Sequence, residues 1–82
     1  MIHIETRTNL SPIECAERVR AYFGTEGLGL NPVEDCPGRL RFEGGGGFVE
    51  AEICAAENSA IINLITQEWD YHVRKFLALL KS

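Results

Sequence analysis

Two groups of titratable side chains sit at spacings that suit proton transfer: His3 with Glu5, and His72 with Asp70 and Glu68 shortly before it. Residues two apart on a strand share a face, so His3 and Glu5 could pair and orient an imidazole as a general base. An open sheet face, however, offers no water-excluded pocket for that chemistry. His72 borders an apolar helical stripe, which suits a histidine at the edge of a core with one ring nitrogen satisfied. No serine, threonine or cysteine has a partner that spacing alone places beside it. The sequence therefore names no catalytic residue, and a small enzyme built on His72 and Asp70, or on His3 and Glu5, is the third of three functional readings.

Metal and phosphate chemistry leave no signature either. Cys15, Cys36, Cys54, His3 and His72 lack the short ligand spacings of zinc sites, and no metal or other cofactor is expected. Cys15 falls on a helical packing stripe, where a thiol behaves as a small apolar group. Cys36, in Glu34-Asp35-Cys36-Pro37-Gly38, is the most exposable of the three. The run Gly44 to Gly47 leads from one strand into another, whereas a phosphate cradle needs glycines that open a helix. It reads as a hairpin turn or bulge with positive φ angles, the alternative being a mobile flap over a ligand or partner.

The elements that must position these residues follow from periodicity. Ile2 to Thr8 alternates as a half-buried strand, with Ile2, Ile4, Thr6 and Thr8 on one side and His3, Glu5 and Arg7 on the other. Ser11, Pro12 and Glu14 form a helix start with a capping box, and the helix runs from Pro12 to Phe23. Cys15, Ala16, Val19, Tyr22 and Phe23 make its packing face, and Gly24 is placed to end it in the left-handed conformation. Gly24 to Gly38, with four glycines and two prolines in all, reads as a connecting loop pinned by Leu28, Leu30 and Val33. Arg39 to Glu43 and Phe48 to Ala55 then alternate as a hairpin, with Leu40, Phe42, Val49, Ala51 and Ile53 facing one core. Ala60 to Thr66 is a further strand, with Ile62 and Leu64 inward and Ile61 and Ile65 outward. From Gln67 to Lys81 the spacing is helical again, with Trp69, Val73, Phe76, Leu77 and Leu80 in one stripe. The expected fold is α+β: a two-layer sandwich of about four antiparallel strands in the order β-α-β-β-β-α, with both helices on one face.

Composition bounds the function. The chain has 82 residues, enough for a single domain over residues 1–82, with 45% hydrophobic and 24% charged residues. Eight Lys and Arg against twelve Asp and Glu give a net charge of −4, the wrong sign for binding a polyphosphate backbone or an anionic membrane. No apolar run approaches the roughly 18 to 20 residues of a spanning helix. An odd number of separated cysteines, with no secretory signal, predicts reduced thiols and a cytoplasmic location.

The segment Glu43-Gly44-Gly45-Gly46-Gly47 between two strands, and the strand that runs directly into Glu68-Trp69-Asp70-Tyr71-His72-Val73-Arg74-Lys75-Phe76-Leu77, resemble the closing half of helix-grip domains of the START or polyketide cyclase type. The resemblance covers roughly Arg39 to Leu80. It implies an antiparallel sheet curled around the last helix, with an apolar ligand in the gap. A looser topological likeness is to half-domains of the TATA-binding-protein type, whose DNA function the acidic charge argues against.

Three readings result. The first is a small non-catalytic binding or assembly module that works as a homodimer through the outer sheet face or an edge strand, with Ile61 and Ile65 as anchors and Phe48 and Leu79 as further surplus apolar groups. The second, implied by the resemblance, is a carrier of an apolar small molecule, in which Trp69, Val73 and Phe76 line a gap under Phe42 and Ile53. The small enzyme is the third.

Overall fold

A computed structural model describes residues 1–36 and 38–80. The chain is α+β, with an antiparallel five-stranded sheet and two helices: β1 (Ile2–Thr8), α1 (Pro12–Phe23), β2 (Asn31–Cys36), β3 (Arg39–Gly44), β4 (Gly47–Ala56), β5 (Ser59–Gln67) and α2 (Asp70–Leu80). The strand order is β1-β5-β4-β3-β2, so the first strand pairs with the last and the remaining three follow as a meander.

Five strands rather than about four is a correction. Asn31–Cys36, expected as loop, hydrogen-bonds to β3 as the outermost strand. Its signature was weak because Pro32 lacks an amide donor, and the register shifts between Pro32 and Glu34, which breaks the period-two pattern. That bulge leaves Val33 47% exposed instead of pinned to the core, while Leu30 is buried as expected.

Helix α1 begins as its sequence dictates. Ser11 Oγ accepts from the Glu14 amide at 3.2 Å, and the Ser11 amide donates back to Glu14 Oε1 at 3.4 Å. Gly24 does not end the helix in the left-handed region: its φ is −74°, and its amide donates to the Arg20 carbonyl while the chain leaves extended. At the other end, β5 continues through Gln67, and Glu68 at φ 77° turns the chain so that α2 starts at Asp70. The helical reading from Gln67 was therefore three residues early, and its proposed end at Lys81 lies outside the described residues.

One face of the sheet supplies Leu40, Phe42, Val49, Ala51, Ile53, Ala60, Ile62 and Leu64 to a single core. Cys15, Val19 and Phe23 of α1 and Val73, Phe76, Leu77 and Leu80 of α2 complete it. Phe23 links the parts, its ring centroid lying 6.4 Å from that of Phe42 and 5.2 Å from that of Phe76. Tyr22 adds an edge contact to Phe23 at 5.0 Å and meets Phe76 at 5.3 Å.

Candidate functional site

The pairing register lays out the outer sheet face as rows. Glu34, Arg41, Glu50, Ile65 and His3 are successive neighbours across the five strands. The next row holds Cys36, Arg39, Glu52, Asn63 and Glu5, and its flanks carry Ile61 beside Cys54 and Arg7, and Phe48 beside Glu43 and Gln67.

Charges in this lattice are arranged in alternation. Glu50 is only 8% exposed and accepts from Arg39 Nε at 3.0 Å and from Arg41 Nη1 at 3.2 Å, as well as from Arg39 Nη2. Arg39 reaches on to Glu34 at 3.2 Å, and Arg41 to Glu43 at 3.1 Å. The Arg41 guanidinium also lies 4.2 Å from the centre of the Phe48 ring, a cation–π contact that half-buries that ring. Glu50 holds the Arg39 guanidinium charged beyond its ordinary range, mainly by hydrogen bonding. A carboxylate fixed by two arginines keeps this part of the face in one arrangement.

Sequence reasoning missed this network. The signal was present in Arg39-x-Arg41-x-Glu43 and Glu50-x-Glu52, outward positions of two strands that a short turn must bring into register. The turn itself is tight: Gly44 pairs with Gly47, and Gly45 and Gly46 between them have φ 58° and 82°. Trp69 holds it, its indole Nε1 donating to the Gly44 carbonyl at 2.9 Å.

Among the residues expected to line a ligand gap, Phe42 and Phe76 are 2% exposed, Ile53 is 7% exposed and Val73 is fully buried. Trp69 sits at the core's edge, half-buried against the glycine turn. The spaces that these residues border are open grooves. Ile53 forms part of one of about 320 Å³ with Pro12, Ile13, Ala16 and the Arg20–Asp35 ion pair. Phe76 floors another, about 210 Å³, between α1 and α2 beside Tyr22 and Leu79. Arg20 clamps Asp35 with two bonds of 2.9 and 2.8 Å, and this holds the Asp35 carboxyl below the usual carboxylate range.

Of the residues expected at an interface, Phe48, Ile61 and Ile65 lie on the outer sheet face, each half-buried. Ile61 and Ile65 do not touch across the strand, because Asn63 stands between them on the same face. Leu79 is 50% exposed on α2.

The acid-base candidates are not brought together as pairs. His3 Nε2 bonds Asn63 Oδ1 at 3.0 Å rather than Glu5. His72 lies with its ring against Trp69 at 5.4 Å and Tyr71 at 5.2 Å. Burial pushes the Cys15 thiol above its ordinary pKa, with Arg18 opposing, and Cys36 and Cys54 are exposed on separate strands. Among the described residues no group of three or more His, Cys, Asp or Glu is arranged to hold a metal ion. Also among them, no helix is long and apolar enough to cross a membrane.

Comparison of the chain with protein-family models, with curated proteins and with solved structures gives no match.

Proposed function

We propose that the protein is a small non-catalytic binding and assembly module that works as a homodimer, its two helices forming one layer over the inner face of the sheet. The observation that carries the reading is the contrast between the two faces. The inner face is filled by Phe23, Phe42, Val73 and Phe76, leaving surface for association rather than a chamber for a reaction or a cargo. The outer face is ordered by the Glu50 network and carries Phe48, Ile61 and Ile65 only half-covered. A second copy of the chain is the partner, meeting the sheet by this face or by an edge strand. The exposed thiols of Cys36 and Cys54 suit a reducing, cytoplasmic setting.

Native mass spectrometry of the protein purified from cells tests this. The expected spectrum is dominated by a species at twice the chain mass of 9.1 kDa with nothing retained. A monomer throughout the micromolar range refutes the reading. The second reading, carriage of an apolar small molecule, is favoured by the apolar grooves at Ile53 and Phe76. An added mass of a few hundred daltons would select it.

A further inference from the structure

The geometry points to the free edge of β1 as the dimer contact: two copies pair β1 with β1 antiparallel about Ile4, joining their five-stranded sheets into one continuous sheet. This rests on the homodimer reading and names the surface that serves it.

The sheet has two edges, and they are built differently. The β2 edge is blunted by Pro32, which has no amide to donate, by the bulge at Val33, and by the adjacent carboxylates of Glu34 and Asp35. The β1 edge carries none of these devices. Seven successive residues, Ile2 to Thr8, pair with Thr66 to Ala60 without a register shift, and none is glycine or proline. Half of the amides and carbonyls of such a strand point away from its sheet neighbour β5, a ready template for another strand. Side chains add to the case. Ile2 and Ile4 point to the core side yet are only half-buried, whereas their partners on β5, Thr66 and Leu64, are fully buried. The apolar face therefore runs uncovered to the β1 edge, where a second β1 would extend it.

Like charges exclude one register, and apolar matching selects among the rest. Both sheet faces must match across the junction, so only pairings centred on a residue are allowed. Centred on Glu5, the two Glu5 carboxylates oppose each other and His3 meets Arg7. Centred on His3, the two imidazoles face each other. Centred on Thr6, Glu5 meets Arg7 and five residues of each copy pair, Ile4 to Thr8, but Ile4 then faces Thr8, Ile2 lies outside the pairing, and no apolar side chain meets another across the junction. Centred on Ile4, His3 of each copy faces Glu5 of the other, Ile2 faces Thr6, and the two Ile4 side chains meet on the core side. This register also pairs five residues of each copy, Ile2 to Thr6, and it sets apolar against apolar at its centre with a hydrogen-bonding imidazole against a carboxylate on either side.

The test is a cysteine scan of the full chain in a Cys36→Ser/Cys54→Ser background, with Ile4→Cys, Glu5→Cys and Thr6→Cys oxidised mildly and resolved by mass. The expected result is a cross-linked dimer from Ile4→Cys and at most about a tenth as much from the other two. A second set avoids the half-buried position. Glu5→Lys should weaken dimerisation about tenfold or more, and His3→Glu/Glu5→Lys should restore it, because the exposed pair is reversed as a unit. Ile61→Lys/Ile65→Lys should stay dimeric. A dimer insensitive to Glu5→Lys and cross-linked at none of the three positions overturns the edge assignment, most clearly if Ile61→Lys/Ile65→Lys is monomeric, and leaves the homodimer reading standing. A wild-type chain that is monomeric overturns both.

Discussion

Replacing Phe76 separates a filled inner face from a ligand gap. The ring is 2% exposed and touches Tyr22 and Phe23 with centroids 5.3 and 5.2 Å away. Truncating such a phenylalanine to alanine in a packed core costs about 3 to 5 kcal/mol, the sum of lost transfer and residual cavity terms. For a chain of 82 residues the whole stability is roughly 4 to 12 kcal/mol, at about 0.05 to 0.15 kcal/mol per residue. Phe76→Ala would thus remove about a quarter of the stability at the upper end of that range and all of it at the lower end, so the more informative change is Phe76→Leu, which keeps most of the volume. That variant is expected to lose about 1 to 2 kcal/mol. At about 4 to 8 °C per kcal/mol for a domain of this size, the midpoint should fall by roughly 5 to 15 °C. Thermal and urea unfolding followed by circular dichroism would measure it. A Phe76→Leu protein with an unchanged midpoint would mean that the ring borders empty space, and the packing argument against an internal ligand would fail.

Further predictions concern the turn and Asp35, a carboxylate clamped outside the Glu50 network. A Cβ added at Gly47 would lie 2.0 Å from the Gln67 carbonyl oxygen, whereas one at Gly46 meets nothing within 4 Å but must accept φ 82°. Gly47→Ala should therefore destabilise more than Gly46→Ala, for which the left-handed conformation alone costs about 1 to 2 kcal/mol. Reversal of that order in urea unfolding would refute the hairpin geometry. Asp35 has its pKa depressed by Arg20, so its contribution is present above the unfolded value near pH 4 and is lost as pH falls through the lower folded value. Asp35→Asn should accordingly be less stable than wild type at pH 6 to 7, with the difference disappearing in acid. A difference that does not shrink as pH is lowered below about 4 would assign the effect to something other than the carboxylate's charge.

Periodicity was enough for the parts of this fold that alternate cleanly. The capping box at Ser11 and Glu14, the inward set Leu40, Phe42, Val49, Ala51 and Ile53, and the outward placement of Ile61 and Ile65 could all be read from residue spacing. β2 escaped because a proline and a bulge erase alternation, and because an edge strand has less apolar burial to impose a pattern. The start of α2 was misplaced because Trp69 sits at helical spacing from Val73 and Phe76, yet its indole serves the β3–β4 turn by bonding Gly44. The candidate surfaces were legible only in part. Strand register cannot be read from one strand, so neither the sharing of Glu50 by two arginines nor the bond of His3 to Asn63 follows from the local pattern around each residue. The unblunted edge of β1 became apparent only once the strand order placed β1 outermost, beside β5.

Amide hydrogen exchange at two protein concentrations tests the central claim most directly, since it locates association along the chain without a mutation. Self-association through β1 predicts that amides within Ile2–Thr8 gain protection as concentration rises, while those of β2, Asn31–Cys36, exchange at the same rate at both concentrations. Concentration-independent exchange throughout β1, or new protection confined to β2, would contradict it.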